Sequence, residues 1–400
     1  MSLVHRDENC IVIDSGSYLI KAGLGVHDTN KPPSVFLETK QFDSPVIGDE
    51  VKDWDKFETM YNHLLFKLLP IKKSRNESPV LISVPPTMSK TAREKLTQIF
   101  FESFNAPGLY VAEQPLLSLY GCGVVTGLVI DIGHEFTYVT PIVDSGVQYH
   151  LCETIPIAGR HFTQYLLSLL KTDTTLISQL AEAGLECDAE LAQFIKEQPD
   201  LCDVSVGHHK RPNEDITSLA DVVPVTEDSE NKPVEELLPE RAEIEYKGVK
   251  LSIGPYRHRV YDPLFEPELV SMNTPSLPEL LTHIQRFCEP PEIRPKLWEA
   301  IVLTGGSACI AGLSARMEYA LKPYLTISDS ASETQVHDQM RYLKIPDYFS
   351  VLKETRAQSV RWATWLGGEI VAKLVFAANN YITKADYNEH GPSVVHTKSY

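Results

Sequence analysis

The chain has no Cys-x-x-Cys pair among its seven cysteines, Cys10, Cys122, Cys152, Cys187, Cys202, Cys288 and Cys309. Their odd number and wide spacing argue against a disulfide framework and a thiolate zinc site, and point to reduced thiols in a cytosolic or nuclear compartment. No apolar run approaches the ~20 residues that span a bilayer. The opening stretch, MSLVHRDENC, lacks the apolar core of a secretory signal, so a membrane role is not expected. Basic residues are in deficit: 37 Lys and Arg against 54 Asp and Glu leave a net charge of −17. Autonomous nucleic-acid binding needs a cationic face that displaces counterions, and is not expected here. A basic protein partner suits the charge better. The 27 prolines and 21 glycines follow no period, which excludes collagen-like and low-complexity readings.

What is present is ordinary for a folded chain: 43% hydrophobic and 23% charged residues. Four hundred residues exceed one common core, so two domains or a nested pair are expected. Cys10-Ile11-Val12-Ile13-Asp14-Ser15-Gly16-Ser17 reads as a strand ending in an acid and a turn, and Tyr18, Ile20, Ala22 and Leu24 alternate as its return. Leu128-Val129-Ile130-Asp131-Ile132-Gly133 repeats the pattern, with Phe136, Tyr138 and Ile142 returning. Two such hairpins suggest two related α/β halves.

Between them, Phe57, Met60, Leu64, Leu65 and Leu68 form a helical stripe over residues 55–69. Thr91 and Glu94 have capping-box spacing before Leu96, Ile99, Phe100 and Phe104. Residues 79–86 read as a buried strand closed by prolines, residues 110–112 as a short strand, and a helix is expected after Pro115. Residues 205–250 are polar and acid-rich and read as a solvated loop or peripheral subdomain. Later come a strand edge at 251–254, a helix from Leu277 to Phe287, a strand running into Thr304-Gly305-Gly306, and a helix from Leu313 to Tyr324.

Three glycine turns carry the chemistry: Asp14-Ser15-Gly16-Ser17, Asp131-Ile132-Gly133-His134 and Thr304-Gly305-Gly306-Ser307. Glycine lets backbone approach phosphate, and successive N–H groups form an anion nest. The carboxylates Asp14 and Asp131, at the ends of the two hairpin strands, can hold Mg²⁺ through water. Each turn alone is more often just a turn; three in this order are specific.

In order, DSGSYLIKAGLG, GLVIDIG, VLTGGS, TWLGGEIVAKL and YITKADYNEHGPSVVHTKSY resemble the actin family, as do SKTAREKLTQIFFESFNAPGLYVAEQPLLSLYGCG and LSIGPYRHRVYDPLFEP. The resemblance spans nearly the whole chain and is weakest in the acidic middle. It implies an α/β, two-lobed fold of the actin, sugar-kinase and heat-shock-chaperone superfamily around a nucleotide cleft, with four subdomains. Subdomain 1 would comprise residues 1–34, 51–121 and 363–400. A residual subdomain 2 would be 35–50, subdomain 3 would be 122–157 and 255–362, and subdomain 4 would be 158–254. Subdomain 2 is shortened relative to the family, whose filaments use its loop to grip the next protomer, so self-polymerisation is not expected.

The phosphate turns depart from the family. Tyr18 stands where the family has glycine, although Asp14, Ser17 and Lys21 remain. Glu135 replaces a second glycine and brings like charge towards the phosphates. Two unit charges ~4 Å apart repel by roughly 4 kcal/mol at an effective dielectric of about 20, on the order of a thousandfold in affinity. Gln114 matches the glutamine that orders water, but His134 and Tyr138 replace the other groups, so hydrolysis is not expected. Asp131 and Gly133 keep part of the second turn. Lys196 and Glu197 resemble the purine-contacting pair, and Gly305, Gly306, Arg361 and Trp362 the remaining wall. Read without the resemblance, Lys196 and Glu197 are adjacent helix charges and Arg361 a surface cation. No cofactor is required on this reading; ATP with Mg²⁺ would bind weakly.

Tyr120, Gly123, Val125, Val371, Leu374 and Phe376 match the apolar groove by which the family receives partner helices. Val371 and Leu374 read equally as helix core. On the groove reading, Val371→Asp or Leu374→Asp releases the partner and leaves the fold intact. Within the family the chain most resembles the fungal nuclear actin-related proteins of SWI/SNF- and RSC-type chromatin remodellers. That implies a nuclear structural subunit bound to the helicase-SANT-associated helix of the motor ATPase beside a second actin or actin-related protein. A cytoplasmic capping subunit, as at the dynactin pointed end, is the alternative; an active ATPase of the wider superfamily fits less well.

Overall fold

The computed structural model describes residues 10–24, 31–199, 201–204, 241–322, 340–349 and 359–399. They divide into two compact units, one drawn from residues 1–159, 279–309 and 325–400, the other from 160–278 and 310–324. This division is coarser than the four subdomains implied by the resemblance.

Among the described residues the first unit holds two large sheets and the small pair Val46–Ile47 with Glu50–Val51. Six strands run in the order Ile382–Thr383, Gly108–Glu113, Val80–Val84, Ile11–Ser15, Leu19–Leu24, Val35–Glu38. The three inner strands Gly108–Glu113, Val80–Val84 and Ile11–Ser15 are parallel. Val80–Val84 is buried throughout, which is why it reads as a continuous run rather than an alternation. The second sheet orders Gly146–Val147, Thr137–Val143, Gly127–Ile132 and Ile301–Thr304, with Glu153–Ile155 also on Thr137–Val143. Both expected hairpins are present, at Ile11–Ser15 with Leu19–Leu24 and at Gly127–Ile132 with Thr137–Val143. Parallel pairing places Thr304 opposite Asp131 and so sets the third glycine turn beside the second.

Asp53 caps the helix Trp54–His63, its carboxylate accepting from the amides of Asp55 and Lys56. The helix widens into a π-turn over Leu64–Leu68. Phe57, Met60, Leu64 and Leu65 are buried as expected, but Leu68 is exposed, because the wider turn rotates it off the stripe. The next helix, Lys90–Gln98, is capped by Ser89, whose hydroxyl accepts from Ala92 N. The Thr91–Glu94 capping box is therefore not the device used; Glu94 instead meets His396 Nε2 at 3.0 Å. Helices Gln114–Gly121 and Ala363–Ala377 pack backbone to backbone: a Cβ at Gly121 would overlap the carbonyl of Ala363, and one at Gly367 that of Leu117.

The second unit contains helices Thr174–Ala183, Ala189–Glu197 and Leu313–Leu321, with most of Gly159–Leu170. Of the segment read as a solvated loop or peripheral subdomain, residues 205–240 lie outside the described residues. In the remainder a hairpin stands in place of a loop: Ala242–Tyr246 pairs with Val249–Ile253 across Lys247 and Gly248, both left-handed at φ 48° and 80°, the conformation a two-residue hairpin turn demands. The helix expected to reach Tyr324 is described to Leu321.

Candidate functional site

The first turn is fixed from several sides. Asp14 and Lys21 are cross-strand partners, and Lys21 Nζ donates to Asp14 Oδ2 at 2.7 Å. Ser83 Oγ donates to Asp14 Oδ1 at 3.0 Å and accepts from Ser15 N at 3.0 Å. Gln114 Nε2 donates to Ser15 O at 2.7 Å and to Ser83 Oγ at 3.3 Å, so its amide holds the turn. Thr39 Oγ1 donates to the carbonyl of Ser17 at 2.6 Å, and Thr39 N to that of Tyr18 at 3.0 Å.

In the second turn, Gly133 O accepts from Gly159 N at 3.1 Å and from Ser307 Oγ at 3.0 Å. The third turn needs its first glycine: Gly305 sits at φ 92°, and a Cβ there would overlap Asp131 Oδ1, whereas Gly306 has open space. His134 Nε2 lies 3.6 Å from Glu135 Oε1. The Tyr18 ring lies against the His134 ring, centroids 4.7 Å apart at 31°. The two turns thus meet through the side chains of Tyr18 and His134.

Arg361 lies over the Trp362 ring, Cζ 4.6 Å from its centroid, and its carbonyl accepts from Lys21 Nζ at 3.2 Å. Lys196 and Glu197 belong to the second unit. Lys196 Nζ donates to Thr163 Oγ1 at 2.7 Å, and burial pushes its ammonium down to about 8. Glu197 is exposed and accepts from Gln193 Nε2 at 2.9 Å.

The six candidate groove residues separate by depth. Val371 and Phe376 are 8% and 4% exposed, packed in one cluster with Val12, Leu81 and Tyr110, and Tyr120 leans on it. Val125 and Leu374 are 50% and 65% exposed, and Gly123 takes φ 79° beside Pro346. A further exposed apolar residue, Tyr348, is 71% exposed. Sequence reading missed it because it stands alone in an irregular stretch. A second buried cluster joins Leu116, Leu119 and Cys122 to Ile345, Phe349, Trp362 and Leu366, with Val124 and Ile370 against it. In the chain, Val125 follows Val124 and Tyr348 precedes Phe349, both of that second cluster or packed against it, whereas Leu374 stands between Val371 and Val375 of the first.

The family model described as actin matches residues 28–400. The chain belongs to the actin family. It is similar to Actin-related protein 7 of Oryza sativa subsp. japonica, 28% identical over 408 residues, covering 98% of this chain and 99% of the relative. Actin-related protein 7 of Arabidopsis thaliana is also 28% identical, over 413 residues, with the same coverage. The SWI/SNF and RSC complexes subunit arp9 of Schizosaccharomyces pombe is 28% identical over 416 residues, covering 88% of this chain and 78% of the relative.

Within this actin-family chain, sequence reading also missed Thr39 and Ser83, which hold the first turn in place; Ser307, read as part of the third turn, also braces the second. Ser83 had a legible signal, a lone hydroxyl in the apolar strand VLISV; Thr39 had none.

Asp131 gives the site a pH signature. Burial, with the nearby Asp14 charge and against the pull of Lys21, raises its carboxyl from 3.8 to about 6. The folded state then holds its proton longer than the unfolded chain. This contribution to stability is undiminished below 3.8, falls as pH rises to about 6, and stays low above. Asp131→Asn should remove that fall, so its unfolding free energy should gain on the wild type by on the order of 1–3 kcal/mol across this window, read as a Tm difference that grows with pH. A Tm difference that does not change with pH would refute the assignment.

Proposed function

We propose that this chain is a non-catalytic, actin-related structural subunit of a SWI/SNF- or RSC-type chromatin remodelling complex. It acts in the nucleus by gripping a helix of the motor ATPase, the helicase-SANT-associated helix, beside a second actin or actin-related protein. The carrying observation is the contact between Tyr18 and His134, which sets two rings at the turns where the family seats phosphates, with Glu135 alongside. Gln114, the residue that matches the water-ordering position, has its amide hydrogen-bonded to the first turn. These residues do not fit a tightly held ATP–Mg²⁺, and no catalytic step is assigned to them. The S. pombe relative, a subunit of SWI/SNF and RSC complexes by name, supports the choice of complex. Exposed Leu374, Val125 and Tyr348 support an apolar contact with a helix.

Affinity purification from the native cell with mass spectrometry tests the reading. Remodeller subunits, including the motor ATPase and a second actin-like protein, are expected. Recovery of a dynein-linked complex in their place would establish the capping alternative. Purified protein should show no ATP turnover above buffer; measurable hydrolysis defeats the non-catalytic assignment.

A further inference from the structure

The two glycine turns belong to different sheets of the first unit, the first to the six-stranded sheet and the second to the five-stranded one. Each is anchored to its own surroundings, through Ser83, Gln114 and Thr39 on one side and through Gly159 and Ser307 on the other. Tyr18 and His134 link them, with ring centroids 4.7 Å apart and planes inclined at 31°. Offset aromatic contacts of this kind stabilise beyond the area they bury. The carboxylate of Asp14, at the mouth of the first turn, already accepts from Lys21 and Ser83. The residues a bound phosphate would bridge are thus bridged internally.

We infer that the Tyr18–His134 pair is a built-in replacement for a nucleotide's phosphates: it ties the two turns, and hence the two sheets, so that the chain keeps its working shape without ligand. The inference rests on the non-catalytic reading above and adds a reason for it. In a ligand-dependent fold the tie comes from a bound phosphate, and mass action couples stability to ligand concentration. Here the tie is covalently part of the chain and acts at every ligand concentration.

The test is thermal unfolding of the full chain, with and without MgATP and with EDTA, for the wild type, Tyr18→Ala, His134→Ala, the double variant and Tyr18→Phe. The wild-type Tm should be the same in all three buffers. Each alanine variant should lose ~2–4 °C, the double variant little more than one single variant, and Tyr18→Phe should stay near wild type because it keeps the ring. This non-additivity is the mark of a direct pair. Losses that add, or no loss in either single variant, would overturn the tie and leave the non-catalytic reading untouched. A wild-type Tm that climbs markedly in MgATP would overturn the pair as a replacement for the phosphates, whereas the non-catalytic reading falls only to measured ATP turnover. As a further check, Tyr18→Gly combined with Glu135→Gly should acquire a Tm rise in MgATP; a folded but unresponsive variant would count against the rings standing in for phosphate.

Discussion

Gly367→Ala should be among the most damaging single-methyl changes in this chain. The two helices Gln114–Gly121 and Ala363–Ala377 meet with no side chain between them at this point. A Cβ on Gly367 would fall on the carbonyl of Leu117, with the Leu117 Cα only 3.0 Å away. Backbone cannot swing aside as a side-chain tip can, so one helix must shift. That shift would disturb Leu117, Trp365, Ala372 and Val375, all buried in the same cluster. Overpacking at such a site costs more than ~3 kcal/mol, outweighing the ~1 kcal/mol that alanine gains over glycine as a helix former. The expected result is a fall in Tm on the order of 10 °C or a loss of soluble protein. Gly306→Ala is the control: a Cβ there meets nothing within 4 Å, and its Tm should hardly move. Equal Tm values for the two variants would show that the helices do not approach as described.

The second large effect is on binding. On the proposed reading, Leu374→Asp should greatly weaken capture of a motor-subunit helix while leaving the fold intact. Leu374 is 65% exposed and its neighbour Val371 is 8% exposed, although both stand on one apolar helix. A leucine fully buried by a partner is worth ~1.5–3 kcal/mol, and an aspartate set there in its place must also be desolvated. Affinity for a motor-subunit helix should therefore drop by ~100-fold or more, with a Tm within about 1 °C of wild type. Val371→Asp corrects the expectation drawn from sequence. It places a charge in the core with Val12, Leu81 and Tyr110, so it should unfold the first unit, and loss of binding by that variant would say nothing about the surface. Calorimetric titration of Leu374→Asp with the motor-subunit helix decides the matter. Unchanged affinity in a folded protein removes this surface from the interaction.

Much of the site was legible because its order is local. Asp14 and Lys21 lie on two strands joined by a short turn, so their ion pair follows from hairpin pairing alone. The glycines of the three turns announce themselves by type, and the strands leading into them by continuous apolar runs. The helix Leu277–Phe287 matches its expected bounds because periodicity and flanking turn residues agree there. Where sequence reading failed locally, a competing nearby residue had won: Ser89 took the cap expected of Thr91, and Lys247-Gly248 turned part of the acidic segment into a hairpin.

The sequence alone determined that this is an actin-family chain, that its first two glycine turns carry Tyr18, His134 and Glu135, and that one of its last helices is apolar. Those facts depend on residue type and on spacing within a few turns. Only the tertiary structure decided that Tyr18 meets His134, that Ser83 and Thr39 hold the first turn, and that Leu374 faces outward while Val371 and Phe376 face in. Each of these depends on residues far apart in sequence brought together by sheet pairing and helix packing. On a helix that is apolar nearly all round, periodicity cannot tell a core face from a docking face; only the neighbours packed against it can.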